Sequence, residues 1–278
     1  MTPRRWLYMA AGIPAALILI LILTICFIPA RQLQGVIVRG LASEGYTFRA
    51  ARFNKAFPLG FTAGQLEIGN ERGPLLKADI LTLRLKILPL LVGDLKVTGQ
   101  ARIGSGRIEG TWSRRNGGDI HAQGVQLEDI PFFPTVTGAS AKGVMQIEAI
   151  MRGRQATARG EIKLDVKEAE LAGIRIGETP LPDASYRQIQ GMLRLAGGKA
   201  VLESFTLQGE GLYVRLKGDI PIANPLGNSP LNLTLELMPK PDFLERQKFV
   251  FLLLTKYLTS PGHIEIPVKG TLAQPALP

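Results

Sequence analysis

The sequence predicts a mainly β protein: one N-terminal transmembrane helix, then an antiparallel β-sheet domain with a few short helices. Three observations carry this. A single uncharged stretch, Trp6 to Ile28, is long enough to cross a bilayer. Beyond it, apolar side chains recur at every second position in one run after another, the period of a strand with one dry and one wet face. Finally, Gly at 31 and Pro at 19 punctuate those runs at turn spacing, which suits many strands and not a helical bundle.

Residues 1–5 form a short tail, placed in the cytoplasm by Arg4 and Arg5. Trp6 to Ile28 reads WLYMAAGIPAALILILILTICFI. As a helix it would span roughly 34 Å, against a hydrocarbon core of roughly 30 Å. Trp6, Leu17, Leu19, Leu21, Leu23 and Phe27 are its anchoring side chains, and Pro14 is tolerated in a bilayer helix. A cleaved signal peptide is the rival reading. Its apolar core would be shorter, and Ile28-Pro29-Ala30 is a poor cleavage site. A lipoprotein signal ending at Cys26 is weakened by the bulky Ile25.

Residues 29–45 read as an amphipathic helical connector. Over Arg31 to Glu44, Leu33, Val36, Ile37, Gly40 and Leu41 share a face, and Gly45 is a stop. Residues 46–278 are the β-rich domain. Phe48 and Ala50 alternate with Arg49 and Ala51. Phe61 and Ala63 give way to Leu66 and Ile68 on the shifted face, with a bulge marked by Gly64. Ile80 to Lys86 is the clearest strand, with Leu81, Leu83 and Leu85 on one side and Thr82, Arg84 and Lys86 on the other. Ile87 to Val92 is a short apolar turn interrupted by Pro89. Further strands are expected at 95–102, 107–112, 119–127, 144–151, 156–166, 185–195, 200–208, 213–220 and 231–238. Asp242 to Leu258 reads as one helix, with Asp242 capping it and Glu245 completing a capping box. Its apolar second half, Phe249 to Leu254, is too short to span a bilayer. Burial in the domain is the favoured fate, and docking into an interface the alternative. His263 to Thr271 closes the chain as a strand, with Ile264, Ile266 and Val268 on one face.

Composition excludes several functions. The one cysteine, Cys26, permits no intrachain disulfide, and His121 and His263 stand alone, so no zinc site of the usual type is expected. The net charge of +10 attracts phosphate, but the cations are scattered and not interleaved with aromatics, so no nucleic-acid partner is expected. Gly104-Ser105-Gly106 lacks the spacing and the following helix of a dinucleotide site and reads as a hairpin turn. Glu128 and Asp129 read as a solvated loop end, and Arg114-Arg115 as a tight polar turn. No catalytic constellation, metal site or cofactor is expected, and the chain does not read as an enzyme.

The layout as a whole carries a resemblance. After the membrane stretch come Gly45-Tyr46-Thr47, Phe57-Pro58-Leu59-Gly60-Phe61 and Pro74-Leu75-Leu76-Lys77-Ala78-Asp79-Ile80-Leu81-Thr82-Leu83-Arg84-Leu85. Leu90-Leu91-Val92-Gly93 and Gly106-Arg107-Ile108-Glu109-Gly110 follow, and the end is Ile264-Glu265-Ile266-Pro267-Val268-Lys269-Gly270-Thr271-Leu272-Ala273-Gln274-Pro275. This resembles the type II secretion system protein N family (general secretion pathway protein N) of Gram-negative bacteria, over nearly the whole chain. It is also similar to the wider AsmA-like group of envelope proteins. The first resemblance implies an inner-membrane anchor, a periplasmic domain and an accessory role among type II secretion subunits, by protein–protein interaction. The second implies a long, curved sheet, a groove or open barrel, whose apolar inner face would hold phospholipid or lipopolysaccharide chains. Leu81, Leu83, Leu85, Ile264, Ile266 and Val268 are then the candidate groove lining. Neither resemblance supplies catalytic residues.

Overall fold

The computed structural model describes residues 30–56, 59–91, 93–153, 159–176, 179–224 and 226–277. The expected membrane span, with Trp6, Leu17, Leu19, Leu21, Leu23 and Phe27, lies outside the described residues, as does the tail before it. Among the described residues no helix is long and apolar enough to cross a membrane.

Helix α1 (Ala30–Ala42) leads to strands β1 (Thr47–Ala56), β2 (Gly60–Asn70) and β3 (Gly73–Leu85). A short helix, α2 (Ile87–Leu91), stands where an irregular apolar turn was expected. Then follow β4 (Lys96–Ile103), β5 (Gly106–Ser113), β6 (Gly117–Gln126), β7 (Ser140–Arg152) and β8 (Arg159–Ala172). A two-stranded excursion, β9 (Arg175–Ile176) with β10 (Thr179–Pro180), precedes β11 (Ala184–Ala196), β12 (Lys199–Gly209), β13 (Leu212–Pro221) and β14 (Asn232–Pro239). Helices α3 (Pro241–Arg246) and α4 (Lys248–Leu253) come next. The chain closes with β15 (Leu258–Ser260), β16 (His263–Thr271) and β17 (Gln274–Ala276). Apart from β9 and β10, the strands form one antiparallel sheet in nearly sequential order, and the sheet is not closed.

The meander follows from its turns. Ala196 pairs with Lys199 across Gly197-Gly198, whose φ values are both positive (58° and 74°), as a two-residue type I′ hairpin requires. The expected turn at Gly104-Ser105 joins β4 to β5, and the Gly104 N–H donates to Asp79 Oδ2 at 3.0 Å. The Arg114–Asn116 turn is tied from below. Buried Asp94 accepts from the Ser113 hydroxyl at 2.9 Å, and the Arg115 and Asn116 N–H groups donate to Ser113 Oγ at 3.2 Å.

The expected shift of face near Gly64 takes a different form. Pairing of β1, β2 and β3 keeps its register there but skips Ala51, Gln65 and Asp79. Gln65 has φ +49°, and the apolar positions step from Ala63 to Leu66. The residue-count irregularity lies instead at Ile68/Gly69. Glu168, the other non-glycine residue with positive φ among those described (+51°), makes a like step in β8, where burial goes from Val166 to Ala169, but here β8 also carries one extra residue against β7 opposite Gly143. At both sites one left-handed residue moves the following side chains to the opposite face, and the dry face stays dry.

Helix α1 meets the sheet through Ile37 and Leu41, which pack against the apolar cluster that contains Phe48, Leu66 and Ala78, whereas Val36 and Gly40 of the expected apolar face are exposed. The expected single helix over Asp242–Leu258 is two short helices and a 3-10 turn (Thr255–Tyr257). Lys240, not Asp242, is the N-cap, with Pro241 at the first turn, and no side-chain cap forms. The break is at Gln247, whose amide is engaged with Asp183. Its Nε2 donates to the Asp183 carbonyl, and its Oε1 accepts from the Asp183 N–H at 3.1 Å. That pairing ties Asp183, just before β11, to the junction between the two helices.

Candidate functional site

Register places every second residue of each strand in a row running across the sheet. One row is Phe53, Ala63, Leu81, Ala101, Ile108, Ala122, Ile147, Leu164, Gly191, Phe205, Leu216, Leu235 and Ile266. The next row on the same face is Phe61, Leu83, Gly99, Gly110, Ile120, Ala149, Ile162, Leu193, Leu202, Gly218, Leu233 and Val268. A third runs from Leu85 through Val97, Trp112, Gly118, Met151, Gly160, Leu195 and Ala200 to Ile220. No charged or polar side chain interrupts them, and the one charged member is Lys55, opposite Phe61 at the β1 end of the second row. Between them, facing the other way, lie rows such as Thr82, Gln100, Glu109, His121, Glu148 and Lys163. The sheet thus has one dry and one wet face across nearly its whole width.

The dry face is covered unequally. At the end of the strands where α1 enters, the β2–β3, β4–β5 and β12–β13 connections are tight turns, but the remaining connections are bulky. There, Leu127 of a 3-10 turn (Leu127–Asp129), the segment Phe133–Thr137, and Phe243, Phe251 and Leu254 of the helical region pack on the face. Ile130 and Met145 touch both apolar clusters and make them continuous. At the opposite end the described connections are α2, short turns and the segment up to β14. There the apolar face meets solvent: Trp112 is 47% exposed and Ile120 41% exposed. A cavity of 230 Å³ lies here, lined by Leu81, Leu83, Val97, Ile108, Trp112, Ile120 and Met151, among others.

Small residues make the floor of this region. Gly99 faces Gly110 across the β4–β5 pair, and a Cβ on Gly99 would stand 2.8 Å from Leu83 Cδ2. Farther across the sheet, a Cβ on Gly191 would meet the Phe205 ring at 2.7 Å, so bare backbone leaves room for that ring. Side chains of full size here would fill the space in front of the sheet.

The six expected lining residues all fall on the dry face but in two environments. Leu81 and Leu83 are half-buried and line the cavity, and Leu85 is half-buried in the row beyond them. Ile264, Ile266 and Val268 are buried at 3%, 0% and 5% exposure, packed in the larger cluster with Leu233, Leu235 and Leu237. Trp112, Ile120 and Met151 were missed. Their strands were read from the sequence, but a lone Trp or Ile gives no sign of which row it joins.

The wet face carries the larger cavity, 690 Å³ beneath α2, bordered by Arg84, Lys86, Glu109, Asp119 and His121. Its charges are of both signs and His121 is exposed, so it gathers no single chemistry. The ligand atoms of Glu236, His263 and Glu265 lie within 4.8 Å of one another on this face. Buried Glu236 is already paired with the Lys217 ammonium, and His263 Nε2 is 3.1 Å from Glu265 Oε1. Burial among apolar neighbours pushes the Tyr186 phenol well above its ordinary pKa, so it remains neutral.

Fold and site together define an open antiparallel meander with one continuous apolar face, plugged at one end of its strands. Comparison with protein-family models, curated proteins and solved structures finds no match.

Proposed function

We propose that this protein holds the acyl chains of envelope lipids on the dry face of its sheet. In this reading Trp6–Ile28 anchors it in the bacterial inner membrane and the sheet domain lies in the periplasm. The observation that carries it is the set of unbroken apolar rows, left open to solvent around Trp112 and Ile120. Thirteen strands at a spacing of roughly 4.8 Å make a face about 58 Å wide. One leaflet of a bilayer core is about 15 Å deep, so the face would accommodate several chains side by side. Water against such a face is unfavourable in proportion to its area, and a hydrocarbon chain relieves that without any directional contact. Phospholipid and the lipid part of lipopolysaccharide share this chemistry.

The test is site-specific photocrosslinking of the full chain in cells, followed by mass spectrometry of the adducts. A photoreactive residue at Ile120 or Trp112 is expected to capture lipid, and one at neighbouring Asp119 or Thr111, on the wet face, is not. Equal capture from both faces, or none from either, would defeat the proposal.

A second reading has its own observation. Strand β1 is the terminal strand of the sheet, paired among the described residues only with β2, and an open edge of this kind accepts an added strand from a partner. With the resemblance to the protein N family, this supports an accessory role in type II secretion through contacts with other subunits. Crosslinks from Arg49 or Asn54 to secretion subunits are the expected result, and crosslinks to none of them would count against it.

A further inference from the structure

Helix α4 and the turn that follows present the densest exposed apolar surface of the described chain. Phe249 is 84% exposed, Leu253 59%, Leu252 53% and Leu258 52%. The same short stretch sends Phe251 and Leu254 into the core, at 4% and 0% exposure. The helix is therefore held rigidly from behind, and the outward side chains are not spare core residues awaiting a better fit. Four large apolar groups within ten residues is more than a soluble surface ordinarily leaves in water.

The charges around this patch are mainly positive. Arg246, Lys248 and Lys256 are exposed beside it, and the Lys256 ammonium sits 4.6 Å from the centre of the Tyr257 ring. The exposed acidic groups Asp242 and Glu245 lie on the preceding helix α3, as does Arg246, whereas α4 and the turn after it carry only the cations Lys248 and Lys256. Position within the fold adds a third observation. Strands β1 and β14 run so that α1 enters, and α3 and α4 leave, at the same end of the sheet. The uncharged stretch Trp6–Ile28 leads directly into α1.

We propose that α4 and the turn to Leu258 are a second membrane contact, seated in the headgroup region of an anionic bilayer. Phe249, Leu252, Leu253 and Leu258 enter the acyl boundary, and Arg246, Lys248 and Lys256 meet lipid phosphates. The contact would hold the plugged end of the sheet against the membrane. It rests on the membrane anchor of the proposed function but does not require lipid on the dry face.

The test uses the full chain in bilayer nanodiscs, with Phe249→Trp as the reporter and the native tryptophans removed by Trp6→Phe and Trp112→Phe. Leu252→Trp in the same background serves as a second reporter at an equally accessible site. In discs containing anionic lipid, brominated acyl chains are expected to quench the reporter and its emission to shift to the blue. Lys248→Glu with Lys256→Glu is expected to abolish both effects. Emission unaffected by brominated chains from both reporter positions overturns the proposal. Equal quenching in discs of purely zwitterionic lipid overturns the charge complementarity on which it rests. A blue shift without quenching that grows with protein concentration assigns the patch to a second copy of the chain instead.

Discussion

Tyr186 packs in the larger core cluster, and its phenol is held neutral by burial. An unfolded tyrosine ionises near pH 10, so above that pH the unfolded chain loses a proton that the folded chain keeps. Stability must then fall as pH rises through the alkaline range. Tyr186→Phe is expected to leave urea stability at neutral pH nearly unchanged and to flatten its decline near pH 11. An equal decline in both proteins would refute the assignment. Asp94 is the second residue with a clear role. It is buried and accepts the Ser113 hydroxyl and the Arg115 N–H. Asp94→Ala leaves these donors without their acceptor and should lower unfolding free energy by about 1–3 kcal/mol. Nothing in the sequence marks Asp94 as different from the other aspartates, because its partners lie nineteen or more positions downstream.

At the level of elements, the two left-handed residues explain how long strands keep one dry face despite a broken alternation. The sequence itself shows the break, since Ala63 and Leu66 cannot share a face of a regular strand. It does not show that Gln65, and not Gly64, takes the positive φ. Gln65→Gly is expected to be neutral or to raise the thermal midpoint slightly. Gln65→Val, β-branched and intolerant of φ +49°, should destabilise by about 1–2 kcal/mol. Thermal melts of the two variants that coincide would remove strain from the account of the face shift. The helical region teaches the converse lesson. Apolar spacing over 242–258 correctly indicated helix, but the interruption falls at Gln247, where the side chain bonds Asp183, a contact that helix propensity does not encode. The closing strand over His263–Thr271 was fully legible, because its alternation is unbroken and Gly262 precedes it.

For the whole molecule, two isoleucines on the same dry face should respond in opposite ways. Ile120 is exposed at the open end, so Ile120→Asp should change stability by less than about 1 kcal/mol while removing lipid capture at that end. Ile266 has no exposure, so Ile266→Asp buries an unpaired carboxylate and is expected to unfold the domain, at a loss above about 4 kcal/mol. Circular dichroism and denaturant titration of the pair check this directly. By itself the sequence determined that each strand has a dry and a wet side, that turns recur at hairpin spacing, and that the strands meet antiparallel. These properties follow from the pleat and from glycine and proline, which act locally. Only the tertiary structure decided which dry residues share a row, which end of the strands is plugged, and which apolar side chains remain in water. Those outcomes depend on cross-strand register and on packing by segments more than a hundred residues away, so no local pattern carries them.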